Sequence, residues 1–225
     1  MNPSITIDLK NIEGDVINDV LEKVEQSFGF KFGRYELKDV ETFGELCDII
    51  VDKVQGASAT DCTTQQAFYK LRDAIVTTLS ITKYSVTTHT PLHELFPRRD
   101  RRQQFKSVEQ VLGFRMNALR PKHWITTVLF LSFLASLVAL AIAWQIGLAG
   151  LAFSVAGLYV SGELGKELDL ITVGELAEKI ARENYKKVRR NPKTVNRTEV
   201  AEKVKELFLA DPDVEEYLTK QATFS

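Results

Sequence analysis

His89 and His93 stand four residues apart with Glu94 beside the second, a spacing that on one helix face can ligate a divalent metal. Pro91 lies between them and breaks the regular helix that would align both rings, so ordinary loop histidines are expected and no metal site is assigned. His123, next to Trp124, reads as an interfacial residue. Cys47 and Cys62 cannot build a disulfide framework, and Cys47 falls at an apolar helical position, so both are expected to be reduced, buried or inert thiols. The sequence has no glycine-rich phosphate loop, paired-cysteine motif or nucleophile elbow. No catalytic or cofactor-binding residue and no cofactor is therefore assigned, and the chain is not expected to be an enzyme.

Charge is the other feature that could act on a ligand. Arg98, Arg99, Arg101, Arg102, Lys106, Arg115, Arg120 and Lys122 face only Asp100 and Glu109 over the same stretch. Arg98 to Arg102 have no interleaved aromatics, which argues against nucleic acid. The run instead abuts an apolar segment, so Arg98, Arg99, Arg101, Arg102, Arg120 and Lys122 are candidates for lipid head-group contact. Residues 1–56 carry six basic and twelve acidic side chains, whereas residues 57–123 carry eleven basic and five acidic. An acidic module thus precedes a basic one, and the acidic module could meet the basic one or a basic partner.

Between Lys122 and Glu163 no Asp, Glu, Lys or Arg occurs. Trp124 to Trp144 is 21 residues long, about 30 Å as a helix, with an indole at each end where interfacial anchors belong. A transmembrane helix is expected there. Gln145 and Gly147 then interrupt, and Ile146 to Val160 offers a shorter second span. That span is rich in Ala149, Gly150, Ala152, Ser154, Ala156 and Gly157, which permit close helix approach. Basic residues flank both ends of the pair, so both termini are expected to be cytoplasmic. Met1 to Lys10 is polar, and no signal peptide is expected.

The remaining periodicity is helical. Helices are expected over Asp15–Phe28, from Thr42 with Glu45 completing a capping box, from Thr63 to Leu79, over Gln103–Leu112 stopped by Gly113, over Thr172–Lys187, and over Thr198–Ala210. A weak strand pattern covers only Ile5–Leu9. The expected class is all-α: small helical bundles on the cytosolic side plus a two-helix transmembrane hairpin at 124–161.

Thr42-Phe43-Gly44-Glu45-Leu46 recurs as Thr172-Val173-Gly174-Glu175-Leu176. With Phe28-Gly29-Phe30 ahead of it, the first copy resembles the acyl carrier protein family, in which an acidic second helix ends in a Phe-Gly turn and a Thr-x-Gly-Glu-Leu start opens the last helix. The segment from Arg197, with Asp213 to Phe224 after it, looks like that family's first helix and loop. The resemblance implies a permuted bundle in which residues 1–56 are completed by 194–225. Residues 57–122 resemble a second such unit, completed by 164–190 and interrupted by the hairpin. The family's phosphopantetheine serine would fall at Gly14 and near Arg98, neither of which has a hydroxyl, so covalent acyl carriage is not expected. The family's partner-docking acidic face would be supplied by Asp15, Asp19, Glu22 and Glu25.

These readings together point to a noncatalytic, membrane-anchored scaffold that recruits enzymes of lipid or acyl metabolism. Its partners would be the lipid bilayer, a protein at the cytosolic membrane face and, in a homo-oligomer, further copies of the chain. An acyl or lipid carrier component of a membrane biosynthetic system and a small hairpin transport or pore assembly are the alternatives.

Overall fold

The computed structural model describes residues 14–40, 42–54, 57–58, 62–191, 194–211 and 214, with backbone alone at 14–16, 57–58, 163, 194–195 and 197. The expected strand at Ile5–Leu9 and all of the Asp213–Phe224 segment except Val214 lie outside the described residues. The protein is all-α, with 69% helix and 4% strand. In chain order its elements are α1 (Gly14–Phe28), α2 (Phe43–Lys53), β1 (Ala57–Ser58), α3 (Thr63–Leu79), a 3-10 turn (Lys83–Ser85), α4 (Leu92–Leu95) and α5 (Arg101–Leu112). Then follow β2 (Leu119–Arg120), α6 (His123–Ile142), α7 (Trp144–Glu163), β3 (Glu167–Leu168), α8 (Val173–Glu183), α9 (Tyr185–Val188), β4 (Thr194–Val195) and α10 (Arg197–Leu209). Two compact units divide the chain: Met1–Leu71 with Ala177–Ser225, and Arg72–Leu176.

In the first unit, residues from both ends of the chain share one core. Val20, Val24 and Phe28 of α1, Leu46 and Ile50 of α2, Tyr185 of α9, and Val200, Val204 and Phe208 of α10 are buried together. Their 3–4 residue spacing explains the burial, since one face of each helix must leave water. Phe43 meets Phe208 edge-on at 5.4 Å, and Phe28 lies 4.8 Å from Tyr185. The short β1 and β4 pair in parallel. Gly29, at φ 69°, ends α1 and lets the N–H groups of Gly29 and Phe30 both donate to the Glu25 carbonyl.

The capping box anticipated at Thr42 is complete: its Oγ1 accepts from Glu45 N at 3.3 Å, and the Glu45 carboxylate accepts from Thr42 N at 3.1 Å. The second copy departs from it. Thr172 Oγ1 caps Glu175 N at 3.2 Å, but the Glu175 carboxylate accepts from Ile171 N instead. Val173 N and Gly174 N donate to the Thr90 and Thr88 carbonyls. A Cβ on Gly174 would stand 2.9 Å from the Thr88 carbonyl oxygen, whereas one on Gly44 would meet nothing closer than 3.9 Å. Glycine is sterically required in the second copy alone.

Two helix expectations need correction. The stretch Thr172–Lys187 is not one helix: α8 ends at Glu183 and α9 restarts at Tyr185. Buried Ser27 causes this, because its hydroxyl donates to the Arg182 carbonyl at 2.5 Å and accepts from Tyr185 N at 3.1 Å, diverting both from a continuous ladder. His93, expected in a loop, lies instead in the single turn α4.

In the second unit α4 and α5 meet through Phe96 and Phe105, whose rings lie 4.5 Å apart. Gly113, at φ 79°, stops α5 where the sequence places the stop. α6 and α7 are both long and apolar enough to cross a membrane. Their junction differs from expectation: Ala143, extended at φ −146° and ψ 90°, separates them, and Trp144 opens α7 instead of closing α6. α7 is consequently not the shorter span, since each helix has 20 residues, about 30 Å of rise.

Candidate functional site

The hairpin is organised by an antiparallel seam. Gly147, Gly150, Ser154 and Gly157 of α7 recur at alternating three- and four-residue steps and face Leu140, Ser136, Ser132 and Leu129 of α6. A Cβ on Gly147 would approach the Leu140 backbone to 2.6 Å, and one on Gly157 would approach Leu129 to 2.8 Å. On Gly150 it would collide with Ser136. Ser154 Oγ donates to Ser132 Oγ at 3.1 Å, and Ser136 Oγ donates to the Ser132 carbonyl at 2.7 Å. Close backbone approach and satisfied hydroxyls are how helices associate where no hydrophobic force between them is available. Of the small residues read from the sequence, Gly150, Ser154 and Gly157 form this seam, while Ala149, Ala152 and Ala156 are exposed.

The outer surface is the inverse of a soluble helix pair. Phe130, Leu131, Val138, Ile142, Ile146, Phe153 and Tyr159 are exposed. Leaving one such side chain in water forgoes about 1.5–3 kcal/mol. Trp124 and Trp144 are also outward, at 63% and 65% exposure, at the starts of the two helices. Backbone polarity is contained within the helices except near Ala143, whose carbonyl accepts from Ile146 N and Gly147 N.

A neck joins these helices to the rest of their unit. β2 pairs antiparallel with β3, setting Leu119 opposite Leu168 and Arg120 opposite Glu167. Gly165 is buried there, and a Cβ on it would stand 2.5 Å from the Arg120 carbonyl carbon. Arg120 Nε reaches Asp169 at 3.3 Å, and Arg98 pairs with Glu167. Arg99, Arg102 and Lys122 are exposed.

Arg101 is different from its neighbours. It is 6% exposed, donating from Nε to the Phe96 carbonyl at 2.8 Å and from Nη1 to the Lys166 carbonyl at 2.7 Å. Burial pulls its pKa down, with Glu167 opposing and Arg98 assisting. Its guanidinium therefore holds the start of α5 to the neck and is not presented for head-group contact. Nothing in a single-sign run of arginines separates it from Arg99 or Arg102.

On α1 the acidic residues also divide. Asp19 and Glu22 are exposed. Glu25 is half-buried and accepts from Lys31 Nζ and from Phe32 N, each at 2.6 Å. Its burial favours the neutral acid, but those donors outweigh it and hold the carboxyl below its usual range. Glu25 thus fixes the Phe30–Phe32 turn, where the two rings meet edge-on at 5.0 Å. Asp15 belongs to α1, but its side chain lies outside the described residues.

The first unit also holds a buried polar cluster that sequence reading missed. Glu199 accepts from Thr63 N at 2.7 Å and Thr63 Oγ1 at 2.6 Å, and Arg189 Nη1 lies 3.6 Å from the same carboxylate. Arg189 also donates to Thr63 Oγ1 and to the Tyr185 phenol. Burial pushes the Tyr185 pKa up. These bonds fasten α3, α9 and α10 to one another. Cys47 is buried, with its thiol pushed up to about 11 by burial and then by Asp48, while Cys62 is exposed. His89 and His93 are exposed, and among the described residues no group of three or more His, Cys, Asp or Glu could hold a metal.

No family model, curated protein or solved structure matches this chain.

Proposed function

We propose that the protein is a noncatalytic scaffold anchored in a membrane by the α6–α7 hairpin, with both termini cytoplasmic and its helical units recruiting a protein partner. The observation that carries this reading is the inverted hairpin: serines and glycines line its seam while phenylalanines, leucines and valines face outward. A bilayer is the solvent in which that arrangement is favourable. Arg99, Arg102 and Lys122, with Arg98 and Arg120 beside their carboxylates, then lie near the head groups on the flank expected to be cytoplasmic.

The acyl-carrier resemblance supports a role in lipid or acyl metabolism through its acidic second helix, here represented by the exposed Asp19 and Glu22 of α1. Glu25 contributes to the turn that shapes this helix end. The positions matching the family's modified serine, Gly14 and Arg98, favour docking over covalent carriage, and Arg98 is engaged with Glu167.

The docking part is tested by affinity capture from detergent-solubilised membranes of the native host. A protein enriched on the wild-type bait should be lost when Asp19→Lys and Glu22→Lys are combined. Equal enrichment on both baits would overturn the assignment of this face.

A further inference from the structure

At the neck, a cavity of about 370 Å³ opens where α6 leaves β2 and α7 enters β3. Its two kinds of wall are chemically distinct. Ile125, Leu129, Val160 and Leu164 form an apolar side, and Arg98, Lys122, Lys166 and Glu167 form a charged side. Glu167 is engaged by Arg98, which leaves the ammonium groups of Lys122 and Lys166 with no carboxylate partner among the described residues. The charged side is therefore net positive. Gly157 and Gly165 also line the cavity, where the lack of a side chain lets the two stems approach closely and brings the apolar and charged walls together.

We propose that this cavity binds one anionic phospholipid, its phosphate between Lys122 and Lys166 and the start of one acyl chain along Ile125, Leu129 and Val160. The inference rests on the membrane reading above and deepens it from general head-group attraction to a single defined site. Charge and shape select the occupant together. Two unneutralised ammonium groups attract a phosphate, while the adjacent apolar wall favours a ligand whose phosphate carries a hydrocarbon chain. A zwitterionic lipid would place a second cation among the lysines and bind less well.

The test uses the full-length chain in detergent, with bound lipid counted by native mass spectrometry during titration with phosphatidic acid or phosphatidylcholine. One phosphatidic acid per chain is expected, bound at least tenfold more tightly than phosphatidylcholine. Combining Lys122→Gln with Lys166→Gln should weaken phosphatidic acid binding by about tenfold or more, since each interfacial cation contributes roughly one kcal/mol. Arg34→Gln with Lys38→Gln, equal in charge change but at exposed positions that do not line the cavity, should leave it within about twofold. Equal loss in both pairs would reduce the site to diffuse attraction and overturn it. Competition by millimolar inorganic phosphate would assign the lysines to a free anion and also overturn the lipid. Alkaline extraction of the same membranes separates the two levels of the argument: chain retained in the pellet but lacking lipid preference refutes the cavity alone, whereas chain released by alkali refutes the membrane reading and the site with it.

Discussion

In the first unit, Val20, Ile50, Val204 and Phe208 are inside while Asp19 and Glu22 are outside; in the α6–α7 hairpin, Ser136 and Ser154 are inside while Leu131, Ile142 and Phe153 are outside. Both regions are made of α-helices with seams at three- and four-residue steps, so geometry does not separate them. The difference lies in what each helix must hide. In water a helix hides its apolar stripe, and polar groups are free to face out. In hydrocarbon the outward face must be apolar, and the seam is left to small residues and internally bonded hydroxyls. The inversion is confined to the uncharged segment and stops at the neck, where Arg98–Glu167 and Arg120–Asp169 pairs appear.

The largest effect that would sharpen this contrast is expected from the polar cluster that breaks the first unit's own rule. Glu199→Ala leaves Arg189 buried without its carboxylate and should destabilise that unit by about 3–5 kcal/mol, measured by urea unfolding with Cys47 alkylation as the readout. The hairpin's helical signal in detergent should not change. A loss of hairpin helicity in step with the first unit would break the contrast.

Next comes Leu131→Arg near the middle of α6. It should raise the free energy of membrane insertion by about 2.5–3.5 kcal/mol in an insertion assay. Val111→Arg on α5, a residue of similar exposure at 55% against 59%, should change stability by no more than about 0.5 kcal/mol. Equal tolerance of both would mean that the two exposed leucine-like positions see the same solvent.

A smaller effect is expected from pH. The Cys47 thiol is raised from its ordinary 9.0 to about 11, so the folded first unit favours the neutral form. That contribution is fully present below pH 9.0 and is lost as pH rises through about 11. Urea midpoints of the wild type should therefore fall over this interval more than those of Cys47→Ala. Parallel slopes would remove the thiol from the account. Smallest of all, Ser154→Ala removes one hydroxyl bond inside the hairpin and should weaken helix association by about 0.6 kcal/mol, measured by thermal melting in detergent.

Legibility in the sequence followed the range of the interaction involved. The capping box at Thr42 and Glu45 and the αL stop at Gly113 are local, and the chain wrote them out within four residues. The hairpin's existence was equally plain, because absence of charge is itself a local pattern. Its turn was misplaced because Gln145 and Gly147 are stronger helix-breaking signals than Ala143, yet Gly147 serves the seam. The break at Asn184 depends on Ser27, 155 residues from the carbonyl that it binds, and no window around Thr172–Lys187 contains that information. Arg101 and Glu25 failed for a related reason: charge type was legible, but burial of that charge was set by distant partners. The seam residues Gly147, Gly150, Ser154 and Gly157 did carry a readable signal in their spacing, which composition alone obscured.

The chain's two tryptophans, Trp124 and Trp144, open the two hairpin helices and allow the membrane claim to be tested without labels. Single-tryptophan variants, Trp124→Phe and Trp144→Phe, would be reconstituted into liposomes containing lipids brominated at either a shallow or a deep chain position. Tryptophan fluorescence would then be measured in each. Two interfacial indoles should both be quenched, more strongly by the shallow bromines than by the deep ones. Emission unchanged by bromine at either depth would place the hairpin in water and contradict the account.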